Sequence, residues 1–599
     1  MRFYTVLFFL LLSCFTTQLL AQNATVRGLV YEKSTGEPVI YTNVILKGTG
    51  LGAQTNEDGL YNIANVKPGS YMIFCTQLGF DTVEIPITVK PNEILNQQLF
   101  LSKSAIELEN VNISAAREEK KTETAVSMTK ITTKDITRIP SVGGEADLAQ
   151  YLQVLPGVVF TGDQGGELYI RGGSPIQNKV LLDGMTIYNP FHSIGLFSVF
   201  ETDIIRNVKV FTGGFSAEYG DRLSAVLDVT TRDGNKKQFA GKVAVNPFLT
   251  KVVLEGPIKK LNDAGSSVSY MFTGKSSYLD KSSQLFYSYI DTGGLPYSFT
   301  DLYGKISLNS ASGSKLSFFG FNFNDHVNYQ FVSDFDWKSY GFGTNFVIVP
   351  GGSKVLIGGT ISYSDYNISL LEADGKPRTS GINGFDLNID FTYFLPHGDV
   401  KYGFDIGGFR TELQFYNSLG LKIEQNNNTT ELSGFLVYKH IFNEKFILEP
   451  SIRLQYYASL PAFSPEPRIS VKYNLTDGIR LKGAIGMYSQ NFISTKSDQD
   501  VVNLFTGFLT APDGQLNGTD GKPVKTNLQV ASQAVIGVEA DLTKNIELTF
   551  EPYYKKFGQL ININRNKLLP EDPDFEVETG KAYGLDFLVK YDYRNFYLW

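Results

Sequence analysis

The 599-residue sequence contains little of several residue types, and each shortage excludes a class of protein. Its two cysteines cannot provide a disulfide scaffold. Its four histidines are scattered without paired spacing, so we predict no metal site, no cofactor and no enzyme active site. A net charge of −7 offers no basic surface for nucleic acid. Beyond the N-terminal segment there is no run of 18 apolar residues, which excludes a helical membrane protein but not a membrane barrel.

The N-terminal 22 residues have the pattern of a secretory signal peptide. Arg2 precedes an apolar run from Phe3 to Phe15, and the small residue Ala21 lies near the end. The alternatives are a retained anchor helix, which polar residues after Phe15 disfavour, and lipidation at Cys14, which lies inside the apolar run rather than after it. We therefore expect residues 1–22 to be removed and the protein to be exported.

Residues 23–102 predict a small β-sandwich, because short apolar stretches alternate with turn residues such as Lys67-Pro-Gly69. Three stretches resemble the carboxypeptidase-regulatory-like, transthyretin-like domain: Ala24-Thr-Val-Arg-Gly-Leu-Val-Tyr31, Gly36-Glu-Pro-Val39 and Thr55-Asn-Glu-Asp-Gly-Leu-Tyr61. The resemblance implies a binding or spacer module without peptidase activity.

Residues 103–121 form a polar linker that contains one extended candidate for strand addition, Glu107–Ala116. An extended segment with apolar side chains can pair with the edge of a partner's sheet. The candidate contact residues are Leu108, Val111, Asn112 and Ile113. A passive tether is the alternative.

Residues 122–233 predict an α+β domain with a helical segment near its start and tight glycine turns between short strands. Four motifs in this stretch resemble the plug domain of TonB-dependent outer-membrane transporters: Leu155-Pro-Gly-Val158, Tyr169-Ile-Arg-Gly-Gly173, Val180-Leu-Leu-Asp-Gly184 and Val210-Phe-Thr-Gly-Gly-Phe-Ser-Ala-Glu-Tyr-Gly-Asp221. They follow the family's order, and with the preceding sandwich they are similar to receptors of Bacteroidetes-type bacteria. Glu107–Ala116 lies where that family has its TonB box.

The plug motifs supply the candidate site residues. Those expected within the plug are Arg171, Gly172, Gly173, Asp183, Gly184, Tyr219 and Gly220. We expect Arg171 to be a buried charge, inside the plug or against wall carboxylates such as Asp386 and Asp390, or else a solvated turn residue; the glycines are expected to serve turns. Candidates for facing an external ligand are Tyr188, Asn189, Phe191 and His192, with plug-to-wall packing as the alternative.

Residues 234–599 alternate between apolar and polar residues, which predicts strands with one apolar face. In the stretch Phe385–Tyr393, for example, Phe385 and Leu387 alternate with Asp386 and Asn388. A soluble sandwich would give the same period. Short turns such as Thr476–Gly478 that alternate with long connections such as Ser489–Thr526 favour a transmembrane antiparallel barrel.

The predicted fold class is therefore mainly β: a sandwich, an α+β plug and a membrane barrel. About 16 to 17 strands are present, against about 22 expected of a plugged transporter. We accordingly expect a C-terminally truncated barrel, with a complete 16-stranded barrel as the alternative.

The resemblance implies TonB-dependent import of a scarce, bulky nutrient, either a siderophore or other metal chelate or a glycan. The implied partners are TonB with its inner-membrane energising complex, outer-membrane lipid and an unidentified external ligand; a surface lipoprotein is a further candidate. The expected location is the outer membrane of a Gram-negative cell with the N-terminal domain in the periplasm. A signal-transducing receptor and an adhesin or structural barrel are the alternatives.

Overall fold

The computed structural model describes most of the chain. The described residues are 23–40, 42–56, 59–77, 79–104, 123–141, 144–161, 166–193, 195–286, 294–329, 332–351, 353–395, 397–417, 420–443, 445–495, 505–564, 567–593 and 596–599. They form two compact units, a smaller one built from the N-terminal strands and a larger one that contains the plug and the long strands.

The smaller unit is a β-sandwich, as predicted. Its strands are β1 (Ala24–Glu32), β2 (Asn43–Leu46), β3 (Gly52–Gln54), β4 (Leu60–Val66), β5 (Gly69–Thr76), β6 (Val83–Val89), β7 (Ile94–Asn96) and β8 (Leu99–Leu101). One sheet has the order β4-β1-β7, with β8 also paired to β1, and the other has the order β3-β2-β5-β6. Side chains from both sheets, such as Val26 and Ile73, share one buried core, which also contains the free thiol of Cys75.

The plug begins the larger unit and has the predicted α+β composition. Its strands are β9 (Met128–Ile131), β10 (Val158–Thr161), β11 (Glu167–Ile170), β12 (Asn178–Leu182), β13 (Met185–Thr186), β14 (Ile205–Phe211) and β15 (Ala225–Thr231). Five of them form a sheet in the order β13-β12-β15-β14-β9, and β10 pairs with β11. The helices are α1 (Thr133–Thr137) and α2 (Leu148–Leu152), with 3-10 turns at Pro175–Gln177 and Thr202–Ile204. Asp147 caps α2 by accepting from the Ala149 amide at 2.8 Å, as polar N-cap residues do.

The remaining chain forms one antiparallel sheet, which we call the wall. It has 17 strands, which confirms the predicted number. In spatial order they are β16 (Ala240–Val245), β17 (Leu249–Lys259), β18 (Ser267–Ser277), β19 (Tyr297–Asn309), β20 (Lys315–Tyr329), β21 (Ser333–Ile348), β22 (Val355–Glu372), β23 (Pro377–Leu395), β24 (Gly398–Tyr416), β25 (Lys422–Ile441), β26 (Phe446–Tyr457), β27 (Ala462–Asn474), β28 (Ile479–Gln490), β31 (Gln529–Asp541), β32 (Ile546–Ile563), β33 (Phe575–Tyr593) and β34 (Phe596–Leu598). A short pair, β29 (Phe492–Ser494) and β30 (Phe508–Thr510), lies in the connection after β28, and helix α3 (Leu279–Phe286) lies in the connection after β18.

The two faces of the sheet differ as the sequence alternation predicts. On β23, Phe385 is half exposed on the outer face, whereas Asp386 faces the plug. The outward apolar side chains of this strand continue to Leu395, a length of about ten residues, which matches a tilted transmembrane strand. Among the described residues, no helix has the length and apolar character needed to cross a membrane.

Candidate functional site at the plug and wall interface

Arg171 is a buried charge of the plug that is bound by several groups at once. It directly follows β11 and adopts a positive φ of 47°, with its amide donating to the Gly157 carbonyl at 2.8 Å. A left-handed conformation at a non-glycine residue is costly, so the surrounding contacts must hold it. The strained backbone directs the guanidinium away from the plug and towards the wall.

The Arg171 side chain is 1% exposed and is held by two wall carboxylates. Its Nε donates to Asp586 at 2.8 Å, and one terminal nitrogen donates to Glu551 at 2.6 Å. The other terminal nitrogen donates to the Ser127 hydroxyl of the plug at 2.7 Å, and the guanidinium lies 4.8 Å from the ring centre of Tyr553. Charge-assisted bonds of this kind are the strongest that a side chain makes.

The expectation that Asp386 or Asp390 would bind Arg171 is wrong in its choice of partner. Asp386 instead accepts from Thr186 at 3.4 Å, and Asp390 lies 3.7 Å from Lys401. Both carboxylates lie on β23, whereas the Arg171 partners lie on β32 and β33. Sequence alternation shows which residues face the lumen, but it does not show which strand the plug motif reaches.

Asp183 makes a second buried junction between plug and wall. It also has a positive φ, 51°, and accepts from the amide and hydroxyl of Thr231 at 3.0 and 2.7 Å. From the wall, Lys305 approaches it at 3.2 Å and Tyr303 donates to it. Burial alone would raise the pKa of Asp183, but Lys305 and the hydrogen bonds outweigh that effect and lower it, so the carboxylate stays charged.

Three plug glycines lie so close to the wall that a side chain would collide with it. A Cβ at Gly172 would lie 2.4 Å from the Cβ of Ala582, and one at Gly184 would lie 2.7 Å from the Thr360 hydroxyl. Gly220 has an ordinary φ, yet a Cβ there would lie 2.1 Å from Nε of Arg453. The expectation of turn glycines is therefore incomplete for Gly172 and Gly184, and wrong for Gly220.

The two remaining plug candidates are bound within the plug itself. Gly173 closes a turn, as expected, by exchanging backbone hydrogen bonds with Ile170 at 3.0 and 3.1 Å. A Cβ there would lie 2.1 Å from the Ser224 hydroxyl, so this glycine also permits close packing. The Tyr219 hydroxyl donates to Asp228 at 2.8 Å. Both residues shape the plug domain.

The candidate ligand-facing segment is divided between two environments. The ring of Tyr188 lies 5.6 Å from that of Phe508 and 6.5 Å from that of Phe492, both in the long connection after β28. Asn189 accepts from the Phe191 amide at 3.4 Å. His192 is buried against the wall, which is the plug-to-wall packing named as the alternative, whereas Phe191 is buried against Phe160 of the plug, with ring centres 5.5 Å apart.

His192 is placed between two wall carboxylates. Its Nε2 lies 2.9 Å from Asp301 and its Nδ1 lies 3.2 Å from Asp325, while its ring stacks on Phe299 at 3.8 Å. A neutral imidazole has a single N–H, so two carboxylate contacts require the protonated form. Burial alone would lower the pKa of His192, but Asp301 and Asp325 overcome it and raise the pKa. The residue is a charged anchor of the plug.

The wall also binds the main chain of the plug, which the sequence analysis did not anticipate. On β27, one terminal nitrogen of Arg468 donates to the carbonyls of Ser216 and Tyr219 at 2.6 and 2.7 Å. Lysines do the same elsewhere: Lys472 to the Glu123 carbonyl at 2.8 Å, Lys482 to Ala125 at 3.0 Å, and Lys555 to Ile170 and Ser224 at 3.2 Å. The signal was present as basic residues on the polar face of predicted strands, such as Arg468 and Lys472, which are four residues apart on one strand.

The described residues contain one cluster of potential metal ligands. His326 Nδ1 lies 2.9 Å from Asp336 and 3.8 Å from Asp334 at the outer face of β20 and β21. The cluster is largely exposed, and an ordinary ion pair accounts for its geometry. The strand-addition candidates Leu108, Val111, Asn112 and Ile113 lie outside the described residues.

Comparison with known proteins agrees with this architecture. A model of the CarboxypepD_reg-like domain matches residues 26–113, and a model of the TonB-dependent receptor plug domain matches residues 120–226. The chain is similar to the TonB-dependent receptor SusC of Bacteroides thetaiotaomicron, 28% identical over 228 residues that make up 36% of this chain and 22% of SusC. It is also similar to the TonB-dependent receptor P3 of Formosa agariphila, 27% identical over 225 residues, 36% of this chain and 21% of that protein. The chain thus spans about a fifth of the length of these curated relatives.

Among solved structures, the chain resembles the ferric enterobactin receptor PfeA of Pseudomonas aeruginosa, with a TM-score of 0.57, 14% identity and 79% of each chain covered. At that identity the likeness shows the fold, a plug domain within a large β-sheet of the outer-membrane barrel class. The chain therefore carries a CarboxypepD_reg-like domain followed by a TonB-dependent receptor plug domain, as its motifs predicted, and it is similar to TonB-dependent receptors. Its relatives are receptors and transporters, which confirms the prediction that it is not an enzyme.

Proposed function

We propose that this protein imports a scarce, bulky nutrient across the outer membrane by TonB-dependent active transport. The single observation that carries the proposal is the chemistry of the plug-to-wall interface, which is built from buried charges such as Arg171, Asp183 and His192. The outer membrane has no ATP, so an energised partner must move the plug. The implied partner is TonB with its inner-membrane complex.

Plug and wall also share a buried apolar cluster, but it is the charged contacts between them that suit a plug that must detach and return. Removing an apolar plug surface from its wall would cost about 25 cal/mol for each Å² exposed to water. Buried ion pairs contribute little net free energy, because Coulombic attraction and desolvation nearly cancel when both partners regain water. Contacts such as Arg171 to Glu551 can therefore position the plug specifically without making its displacement prohibitive.

The first residues of the plug supply a route for the force. We call residues 123–127 the strap; they begin seven residues after the candidate TonB box ends at Ala116. Every residue of the strap contacts the wall. Lys472 and Lys482 donate to the carbonyls of Glu123 and Ala125, and Val126 packs against Ala484 and Val535. The hydroxyls of Thr124 and Ser127 donate to Glu449 at 2.5 Å and to Glu551 at 2.8 Å. A pull from the N-terminal side would break these contacts one after another.

The strap also reaches the Arg171 cluster. The Ser127 hydroxyl donates to Glu551 and accepts from Arg171, so one hydroxyl joins the strap to both members of the ion pair. Withdrawing Ser127 would remove one of the hydrogen bonds of Arg171 and two of Glu551, because the Ser127 amide also donates to Glu551 at 3.3 Å. Pulling the strap would thereby weaken the plug anchor without a direct force on Arg171.

The cargo remains open between a siderophore or other metal chelate and a glycan. The curated relatives are named as receptors without a cargo, and PfeA is named for ferric enterobactin at an identity that shows the fold alone. The support here is for an importer of bulky cargo.

Deletion of residues 107–116 tests the function. Producing cells would be offered a panel of labelled glycans and ferric chelates, and both surface binding and uptake would be measured. An importer should bind its ligand normally and lose uptake when the segment is deleted. A chain in which the same ten residues are replaced by a Gly/Ser linker controls for the length of the segment.

Equal uptake by the deletion and parent chains would contradict TonB-dependent import and favour an adhesin or structural barrel. Retained uptake together with loss of a transcriptional response to ligand would favour a signalling receptor instead.

A further inference from the structure

A cavity of about 70 Å³ lies between the plug and the long connection after β28. Plug residues form most of its lining, among them Asn178, Ser193 and Arg222, while Thr506 and Phe508 belong to the connection. A space of this size holds about five water-sized groups. The cavity is therefore far too small for a bulky cargo, and an occupant must be a separate, small solute.

Three side chains on this lining each have a buried polar atom without a hydrogen-bond partner in the part of the chain that the structure describes. The atoms are Oδ1 of Asn178, Oγ of Ser193 and Nε of Arg222, in residues that are 8%, 4% and 5% exposed. The orientation of the Asn178 amide is fixed, because its Nδ2 donates to the Leu168 carbonyl at 2.7 Å. Buried polar atoms are nearly always paired, so three of them on one small cavity indicate a site for a polar solute.

Arg222 contributes a positive charge that protein groups do not balance. One of its terminal nitrogens donates to the Asp221 carbonyl at 2.7 Å, and the guanidinium lies 4.3 Å from the ring centre of Phe492. A carbonyl and an aromatic ring are both neutral groups. Burial lowers the pKa of Arg222, and the carboxylates around it, of which Asp221 acts most strongly, raise it by less. A buried cation whose charge is not balanced favours an anionic partner.

The other charged residues on the lining are already bound. Glu167 accepts from the Tyr169 hydroxyl at 3.3 Å, and His192 is held by Asp301 and Asp325. Among the described residues of the lining, Arg222 is therefore the cation that remains available to a solute.

We propose that this cavity binds a small solute that carries both a carboxylate and a hydroxyl group, of which glycolate is the simplest. The carboxylate accepts from Nε of Arg222 and from the Ser193 hydroxyl, and the hydroxyl of the solute donates to Oδ1 of Asn178. A carboxylate only accepts hydrogen bonds, so the hydroxyl is needed to supply the donor for Asn178. The size of glycolate matches the space available.

The relative affinities of three small solutes test the proposal on the parent chain. Calorimetric titration of the purified full chain in detergent, in a buffer without carboxylates, would compare glycolate with acetate, which lacks the hydroxyl, and with ethylene glycol, which lacks the carboxylate. We expect acetate to bind about threefold to tenfold more weakly than glycolate, and ethylene glycol at least about tenfold more weakly. The order follows because loss of a charge-assisted contact costs more than loss of a neutral one.

Substitutions then locate the site. Arg222→Gln should weaken glycolate binding at least about tenfold and reduce the preference for glycolate over ethylene glycol, while Ser193→Ala should weaken glycolate binding about threefold. The matched control is Arg410→Gln, which changes an exposed arginine paired with Glu412 on the outer face and should leave binding unchanged. Hydrogen exchange of the peptide covering residues 123–131 verifies that each variant keeps its plug.

Absence of glycolate binding would overturn the proposal, because the polar atoms of the cavity would then meet only water. Ethylene glycol that binds as tightly as glycolate, or an Arg222→Gln chain with a native plug and parental affinity, would also overturn it. If Arg222→Gln disrupts the plug, the ranking of the three solutes and the Ser193→Ala chain still decide. The uptake experiment with residues 107–116 reads a different property, so either proposal can fail while the other stands.

Discussion

Replacing Arg171 with alanine tests whether the plug is held mainly at one buried charge cluster. The change leaves Glu551 and Asp586, 10% and 12% exposed, without their shared cation. Breaking a buried pair by removing one partner costs about 3–5 kcal/mol. Plug opening should therefore become about two to four orders of magnitude more frequent, since 1.36 kcal/mol is tenfold. Hydrogen exchange of the peptide covering residues 123–131, measured by mass spectrometry in detergent, reports this opening.

The interpretation requires two comparisons. Arg410→Ala removes an arginine whose pair with Glu412 is exposed on the outer face, where such pairs are worth about 0–1 kcal/mol, so exchange in the plug should not change. Arg171→Lys should lie between alanine and the parent chain, because an ammonium cannot reproduce the planar set of donors. If the plug of the Arg171→Ala chain exchanged at the parental rate, the Arg171 cluster would not be what holds the plug. Additive effects of Arg171→Ala and Glu551→Ala would also refute the reasoning, since residues in contact should couple.

Other substitutions test the close packing and the histidine anchor by the same exchange measurement. Gly172→Ala should destabilise the plug by at least about 2 kcal/mol, from the 2.4 Å approach to Ala582 and a φ of 73°. Adding Ala582→Gly should recover the packing part, whereas Gly514→Ala, with open space around it, should change little. A loss that Ala582→Gly does not reduce would contradict the close-approach argument. Because the pKa of His192 is raised, its stabilisation is complete below its ordinary value of 6.5 and is lost as the pH rises through the higher value. His192→Gln should flatten the pH dependence of plug stability above pH 6.5, the ordinary value; an unchanged pH dependence would show that another group is responsible.

Period-two alternation was sufficient to predict the strands of the wall. Phe385 and Asp386 face opposite sides because successive side chains of a strand alternate, and the pattern holds wherever one face meets lipid. The plug strands were predictable because short apolar runs such as β14 end at glycine turns. The closure of the sheet is a property of pairing between distant residues, so the sequence only indicated its size.

The candidate site was predictable in kind but not in its partners. Arg171 and Asp183 stand out because a charge beside glycines in an apolar stretch must be bound by something. Glu551 lies 380 residues after Arg171, and Lys305 lies 122 residues after Asp183. No local spacing in the sequence predicts which residues meet over such separations. His192 lies on a connection for which the sequence left two interpretations open, an external ligand or packing between plug and wall, and it did not indicate that the carboxylates that bind it lie on β19 and β20.

The hydrogen bonds from Arg468, Lys472 and Lys482 to backbone carbonyls of the plug have a consequence for the design of hybrid proteins. A carbonyl is the same at every position, so these cations would still find their acceptors if the nearby plug side chains were exchanged, provided that the backbone kept its course. A hybrid that carries a foreign plug should consequently keep its contacts with β27 and β28. It should fit poorly where it lacks counterparts of Arg171, Asp183 and His192, or where larger residues replace Gly172, Gly184 and Gly220.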